Sequence, residues 1–103
     1  MNEYDLYIPL SAQGVAKRVL QRRLGALKGK LAGKFGGLTY FPQENEGLWR
    51  FGGVTFRDRI VILRVLARNS KTAERFLGTI KDLIKTDWKQ EDVLIISRKV
   101  RSL

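Results

Sequence analysis

The side chains with the clearest chemical potential are seven cations that lie between residues 17 and 34. No Asp or Glu occurs between Asp5 and Glu44, so this block carries +7 of a formal net charge of +10. Such a field attracts polyanions, although the same charge can serve solubility alone. The sequence predicts a nucleic-acid-binding surface that contacts phosphates and does not read bases. The predicted contact residues are Lys17, Arg18, Arg22, Arg23, Lys28, Lys30 and Lys34.

Glycines are interleaved with these cations in the stretch LGALKGKLAGKFGG, residues 24–37. A phosphate-binding Walker loop needs four residues between its first glycine and Gly-Lys, followed by Ser or Thr. This stretch has three residues at that place and lacks the hydroxyl. A leucine stripe runs through it at helical spacing and predicts a helix instead. Three interior glycines are unfavourable in a helix, so we expect close approach of their face to the sheet or to a partner helix.

Few side chains in this sequence are of the types that usually act in catalysis. The chain has no histidine and no cysteine, which removes the commonest general base and the thiolate ligands of metal sites. Glu44 and Glu46 could hold a divalent cation, but no third ligand lies nearby in the sequence. We predict no cofactor, no metal site and no catalytic residue, and the protein is expected to be non-enzymatic.

A second set of residues supports an alternative function. Tyr7, Trp49, Asp58 and Arg64 would line a cavity between the sheets of a dimeric α/β barrel that binds or converts a small molecule. For Asp58 the simpler interpretation is an ion pair with its neighbours Arg57 and Arg59.

The elements that position these residues follow from hydrophobic periodicity. Residues 4–10 alternate as a strand that ends at Pro9, and Ser11 is a plausible cap for the helix that follows. LTYF and LWRF are two strands of a hairpin, or one strand interrupted by a polar loop. Residues 54–68 form the strongest strand, and residues 93–100 form a last strand. Between them, an apolar stripe from Ala73 to Ile84 predicts a second helix capped by Asn69 or Ser70. The order β-α-β-β-α-β predicts an α+β, ferredoxin-like domain with a four-stranded antiparallel sheet and two helices on one face.

This architecture leaves one face of the sheet without a cover. In the strand at residues 54–68, apolar residues occur at both odd and even positions and so on both faces of the sheet. The second face therefore needs a partner as well. We therefore expect a homodimer, joined sheet to sheet or edge to edge. A purely structural subunit is a third interpretation.

Three short motifs carry a resemblance to known sequences. The chain resembles a family of small uncharacterised bacterial proteins with Gly-Leu-Thr after the first helix, Gly-x-Trp soon after, and Gln-Glu-x-Val-Leu at the last strand. The resemblance implies a ferredoxin-like fold and attaches no activity. The matching residues are Gly37, Leu38, Thr39, Gly47, Trp49, Gln90, Glu91, Val93 and Leu94.

The length and hydropathy of the chain limit the remaining classes of protein to which it could belong. A chain of 103 residues fits a single domain spanning residues 1–103. No apolar stretch approaches the roughly 18 residues of a membrane span, so no membrane association is expected. Acidic side chains near the N-terminus stand where a signal peptide is basic, which predicts a cytoplasmic protein.

Overall fold

Four strands and two helices alternate in the predicted order in the computed structural model, which describes residues 1–11 and 14–103. All neighbouring strands are antiparallel and the sheet order is β2-β3-β1-β4, so the ferredoxin-like prediction is confirmed. The elements are β1 (Asn2–Pro9), α1 (Lys17–Phe35), β2 (Thr39–Phe51), β3 (Val54–Ala67), α2 (Ser70–Asp87) and β4 (Leu94–Lys99).

The core lies between the sheet and the two helices. In β1 and β3, Leu6 pairs with Leu63, and alternate residues on either side of this pair point to the same face. That face is buried against the leucine stripe of α1 and the apolar stripe of α2. Tyr4 places its ring in this core and donates its hydroxyl to Glu74 of α2 at 2.9 Å. Both helices therefore lie on one face, and the opposite face of the sheet has no helix over it.

The helix ends show one correct and one wrong prediction. Asn69 caps α2 and accepts a hydrogen bond from the Thr72 amide at 3.1 Å, as expected. Ser11 does not cap α1, because the helix begins at Lys17 and its N-cap, Ala16, makes no side-chain hydrogen bond. The carbonyl of Ser11 instead accepts a hydrogen bond from Gln90 Nε2 at 3.1 Å, which ties this loop to the one before β4.

The two apolar runs LTYF and LWRF belong to one strand, β2, which settles the alternative in favour of a single interrupted strand. Its pairing with β3 shifts register between Phe41 and Asn45, where Pro42 cannot donate to the ladder. The hairpin turns at Gly52 and Gly53, whose φ angles of 58° and 78° suit a two-residue turn of positive-φ residues.

The β2–β3 hairpin is longer than the strands beside it. Pairing between β1 and β3 ends at Pro9 and Ile60, whereas β2 and β3 remain paired down to Val54. We call residues 45–59 the arm. It extends past the end of β1, and this places its side chains outside the main core.

Candidate functional site

Helix α1 presents the cations to solvent. Its buried residues are the four leucines of one stripe, Leu20, Leu24, Leu27 and Leu31, so the rest of its circumference faces outward. The seven predicted contact residues all lie on this remaining surface, and no acid occurs on the helix. Within the described ranges, none of the seven lies within salt-bridge distance of a carboxylate. The structure thus brings the predicted residues together on one element with their charges uncompensated.

Three of the seven cations are partly engaged by neighbouring groups. The Lys28 ammonium lies 3.7 Å from the centre of the Tyr40 ring, and that of Lys34 lies 5.4 Å from the centre of the Phe76 ring. Arg23 donates a hydrogen bond to the carbonyl oxygen of Asp87 at the end of α2. The other four are exposed, with no such partner in the described part of the chain: Lys17, Arg18, Arg22 and Lys30.

The glycines of α1 lie on its exposed side. The helix runs without a break through Gly25, Gly29 and Gly33, so the helical interpretation of this stretch is confirmed. A Cβ atom added to any of the three would meet nothing within 4 Å. The expected close approach to the sheet is therefore wrong, because the leucine stripe and not the glycine stripe faces the core. The glycines leave a smooth strip between the cations.

A paired ion cluster occupies the centre of the uncovered sheet face. Asp5 accepts two hydrogen bonds from Arg64, from Nε at 2.7 Å and from Nη2 at 3.0 Å, and Arg98 Nη1 lies 3.3 Å from the same carboxylate. Glu3 bridges both arginines, at 2.9 Å to Arg64 and 2.8 Å to Arg98. Hydrogen bonding to Arg64 holds the pKa of Asp5 below its usual value, and only 3% of Asp5 is exposed. The cluster is neutral and satisfied, so Arg64 has a structural partner.

Apolar side chains surround this cluster on the same face. Tyr7 pairs in register with Ile62, and Leu66 pairs with Glu3. Leu66, near the end of β3, is 48% exposed on this face. Phe41 lies 4.9 Å from the Arg64 guanidinium and extends the surface toward β2. The uncovered face therefore combines an internally paired polar centre with an apolar surround.

Trp49 and Asp58 lie elsewhere, in a cleft between the arm and the loop that precedes β4. Asp58 does not pair with Arg57 or Arg59, so that prediction is wrong. Alternation along β3 sends those two arginines to the other face of the arm, where they lie 3.7 Å from Glu46 and 3.5 Å from Glu44. Burial raises the pKa of Asp58 above its ordinary value.

The four residues predicted to line one pocket thus form two groups. Tyr7 and Arg64 lie in the sheet, and Trp49 and Asp58 line the cleft beside the arm. Sequence reasoning missed Phe56 as a residue of the cleft, and Gly47 as the residue over which the Trp49 indole lies. Their contribution depends on cross-strand register, since Phe56 pairs with Trp49 and Gly47 pairs with Asp58. Only the i, i+2 spacing of Trp49 and Gly47 in the sequence hints at this arrangement.

Among residues 1–11 and 14–103, no group of three or more acidic side chains has a geometry that could hold a metal ion. The candidate pair Glu44 and Glu46 is instead engaged by arginines of β3. None of the helices in the described ranges has the length and apolar character needed to span a bilayer.

No protein-family model and no curated protein matches this chain. Among solved structures, the fold is similar to that of a CutA1 variant from Pyrococcus horikoshii OT3. The two share 14% sequence identity at a TM-score of 0.57, over 100% of this chain and 86% of that one. Similarity at this level of identity shows the ferredoxin-like fold alone. The candidate functional surfaces of the molecule are the cationic helix α1, the uncovered sheet face and the cleft beside the arm.

Proposed function

We propose that this protein binds nucleic acid without sequence preference, through the outer surface of α1. The observation that supports the proposal is a helix with seven cations and no acid, none of them paired with a carboxylate in the described part of the chain. Phosphates along a nucleic-acid backbone supply the anions that this surface lacks, and release of their condensed counterions drives association.

The arrangement of these charges is unfavourable for the helix itself. Lys17 and Arg18 stand in the first turn, where the helix dipole favours acids, and that turn contains none. Arg18 and Arg22 are four residues apart, as are Lys30 and Lys34, and each such like-charge pair costs about 0.2–0.5 kcal/mol. Since no carboxylate in the described part of the chain lies within salt-bridge distance of these cations, an external anion is the partner that fits them.

The dimensions of α1 suit a polymer more than a small anion. At about 1.5 Å per residue, the cations from Lys17 to Lys34 extend over roughly 25 Å of helix. One strand of a duplex presents a phosphate about every 3.4 Å along its axis, so several phosphates face this length at once. The smooth strip at Gly25, Gly29 and Gly33 lets a backbone come close to the helix without displacing side chains.

Fluorescence anisotropy of labelled duplex DNA over a range of salt concentrations tests the proposal. With the four unengaged cations as contacts, the slope of log affinity against log salt is expected near −3.6, from about −0.9 per contact. Arg18→Gln with Arg22→Gln removes two contacts and is expected to bring the slope to about −1.8. The double variant also removes the repulsion between Arg18 and Arg22, so it is not expected to destabilise the helix. Weaker binding is therefore not explained by unfolding.

A matched control removes the same charge elsewhere. Lys99→Gln with Arg101→Gln changes two exposed cations at the end of the chain and is expected to leave the slope near its original value. An affinity independent of salt, or equal losses in the two double variants, contradicts a role for α1.

We further propose that the protein self-associates as a homodimer through the uncovered sheet face. The apolar surround of Leu66, Tyr7, Ile62 and Phe41 supports this, and the neutral Asp5 cluster can be covered without leaving a charge unpaired. Light scattering on the full chain is expected to give twice the mass of one copy. Leu66→Lys is expected to return the mass to that of one copy. A wild-type mass of one copy at high concentration contradicts the dimer.

A further inference from the structure

The cleft beside the arm differs in chemistry from the rest of this basic protein. It has a volume of about 440 Å³, and its walls come from the arm and from residues 89–94. We propose that it binds a small organic cation, an ammonium group on an apolar body, with Asp58 as counter-ion and the rings of Trp49 and Phe56 as walls. This proposal is independent of nucleic-acid binding, because it concerns another surface and a ligand of opposite charge.

Strand register brings the three recognition groups together. Trp49 lies opposite Phe56, and Gly47 lies opposite Asp58, so all four residues share one face of the arm. An added Cβ at Gly47 would lie 3.1 Å from Nε1 of Trp49, which shows that the indole covers the space left by the missing side chain. The indole is thereby held next to the Asp58 position. Phe56 remains 45% exposed and offers its ring to a ligand.

Within the described ranges, no cation lies within salt-bridge distance of the Asp58 carboxylate. The adjacent arginines on β3 are engaged on the other face of the arm, at 3.7 Å and 3.5 Å from glutamates of β2. The lining also holds the cations Arg50 and Lys89 and the acids Glu91 and Asp92, and Asp92 lies 3.3 Å from Lys81 of α2. Because Lys81 neutralises Asp92, the remaining lining charges sum to zero in a chain of net charge +10, and Asp58 is left without a paired cation among them.

This combination of groups recognises an ammonium ion on an apolar body. The electron-rich faces of Trp and Phe attract a cation electrostatically, and the effect grows when water is excluded. A carboxylate beside them fixes the position of the charge, while Leu94 adds apolar surface for the body of the ligand. Burial raises the pKa of Asp58, which means that its ionised form lacks stabilisation that a bound cation would provide.

Nuclear magnetic resonance with choline as the probe tests the site in the full chain. The indole N–H signal of Trp49 is expected to shift and to saturate, while that of Trp88, which is buried in the core, stays in place. The neutral isostere 3,3-dimethylbutan-1-ol has the same shape without the charge and is expected to bind about tenfold more weakly or worse. Equal affinities for the two compounds overturn the proposal, as does the absence of any Trp49 shift with choline.

Variants separate this site from α1. Asp58→Asn is expected to weaken choline binding about tenfold, whereas Asp82→Asn, which removes an exposed carboxylate of α2, leaves it unchanged. Wild-type affinity in Asp58→Asn overturns the role of this residue. The α1 variant Arg18→Gln with Arg22→Gln is expected to bind choline normally, and Asp58→Asn to bind DNA with an unchanged salt slope. Each proposal can therefore fail without the other.

Discussion

Replacing Gly25, Gly29 and Gly33 by alanine is expected to stabilise the protein substantially. Each glycine lies inside α1 with open space where a Cβ would stand, so alanine adds no clash at any of them. An interior glycine costs up to about 1 kcal/mol relative to alanine, and the three sites are on one continuous helix. The triple variant is expected to gain about 2–3 kcal/mol, which raises the Tm of a domain of this size by roughly 8–24 °C.

Urea and thermal unfolding followed by circular dichroism measure this effect. Gly36→Ala is the matched control, because Gly36 ends the same helix with a φ of 74°, a conformation that alanine adopts only with strain. It is expected to lower the free energy of unfolding by about 1 kcal/mol. A triple variant that is no more stable than the wild type would refute the reasoning, since it would mean that the helix is interrupted or that its outer face is covered in solution.

Four other substitutions have expected outcomes that unfolding experiments can check. Asn69→Ala removes the cap of α2 and is expected to cost about 1 kcal/mol in urea unfolding. Lys89→Gly relieves a φ of 53° just after α2 and is expected to raise the free energy of unfolding by about 1 kcal/mol; a loss would contradict this. Because Arg64 lowers the pKa of Asp5, the stability that this carboxylate contributes is present above about pH 4 and is lost as the pH falls through the lowered pKa. The difference between wild type and Asp5→Asn is therefore expected to shrink on acidification. For Asp58, folding stability depends on pH in the opposite direction, because burial raises the pKa of this carboxyl group. Acidification toward pH 4 is expected to increase the free energy of unfolding of the wild type but not of Asp58→Asn. Parallel pH profiles for the two proteins would contradict this.

Local periodicity was enough to predict the elements of this fold. The leucine stripe through Gly25, Gly29 and Gly33 identified α1 correctly, because an apolar repeat at helical spacing outweighs the low propensity of glycine when four leucines are buried. The cap of α2 was predicted as Asn69 or Ser70, because the residue that caps a helix and the amide that it binds are close in sequence, and the structure shows Asn69 in that role.

Properties that depend on register were not predictable in this way. Asp5 and Arg64 are 59 positions apart, and their contact requires β1 and β3 to pair in one alignment. Asp58 is a different case, because its sequence neighbours Arg57 and Arg59 suggested an ion pair that strand alternation excludes. Alternation along β3 turns them to the opposite face, where glutamates of β2 meet them. Alternation in the predicted strand was already enough to separate Asp58 from Arg57 and Arg59, but only the register shows which glutamates of β2 meet the two arginines.

The placement of both helices on one side of the sheet has a consequence for how copies of this protein act together. If two copies pair through their bare sheet faces, the two α1 helices end up on opposite outer surfaces of the assembly and point away from each other. Such an assembly cannot bind one duplex with both of its α1 helices at once. It cross-links two separate duplexes instead. Mixtures with long DNA are then expected to turn turbid near equivalence and to clear again when either component is in excess.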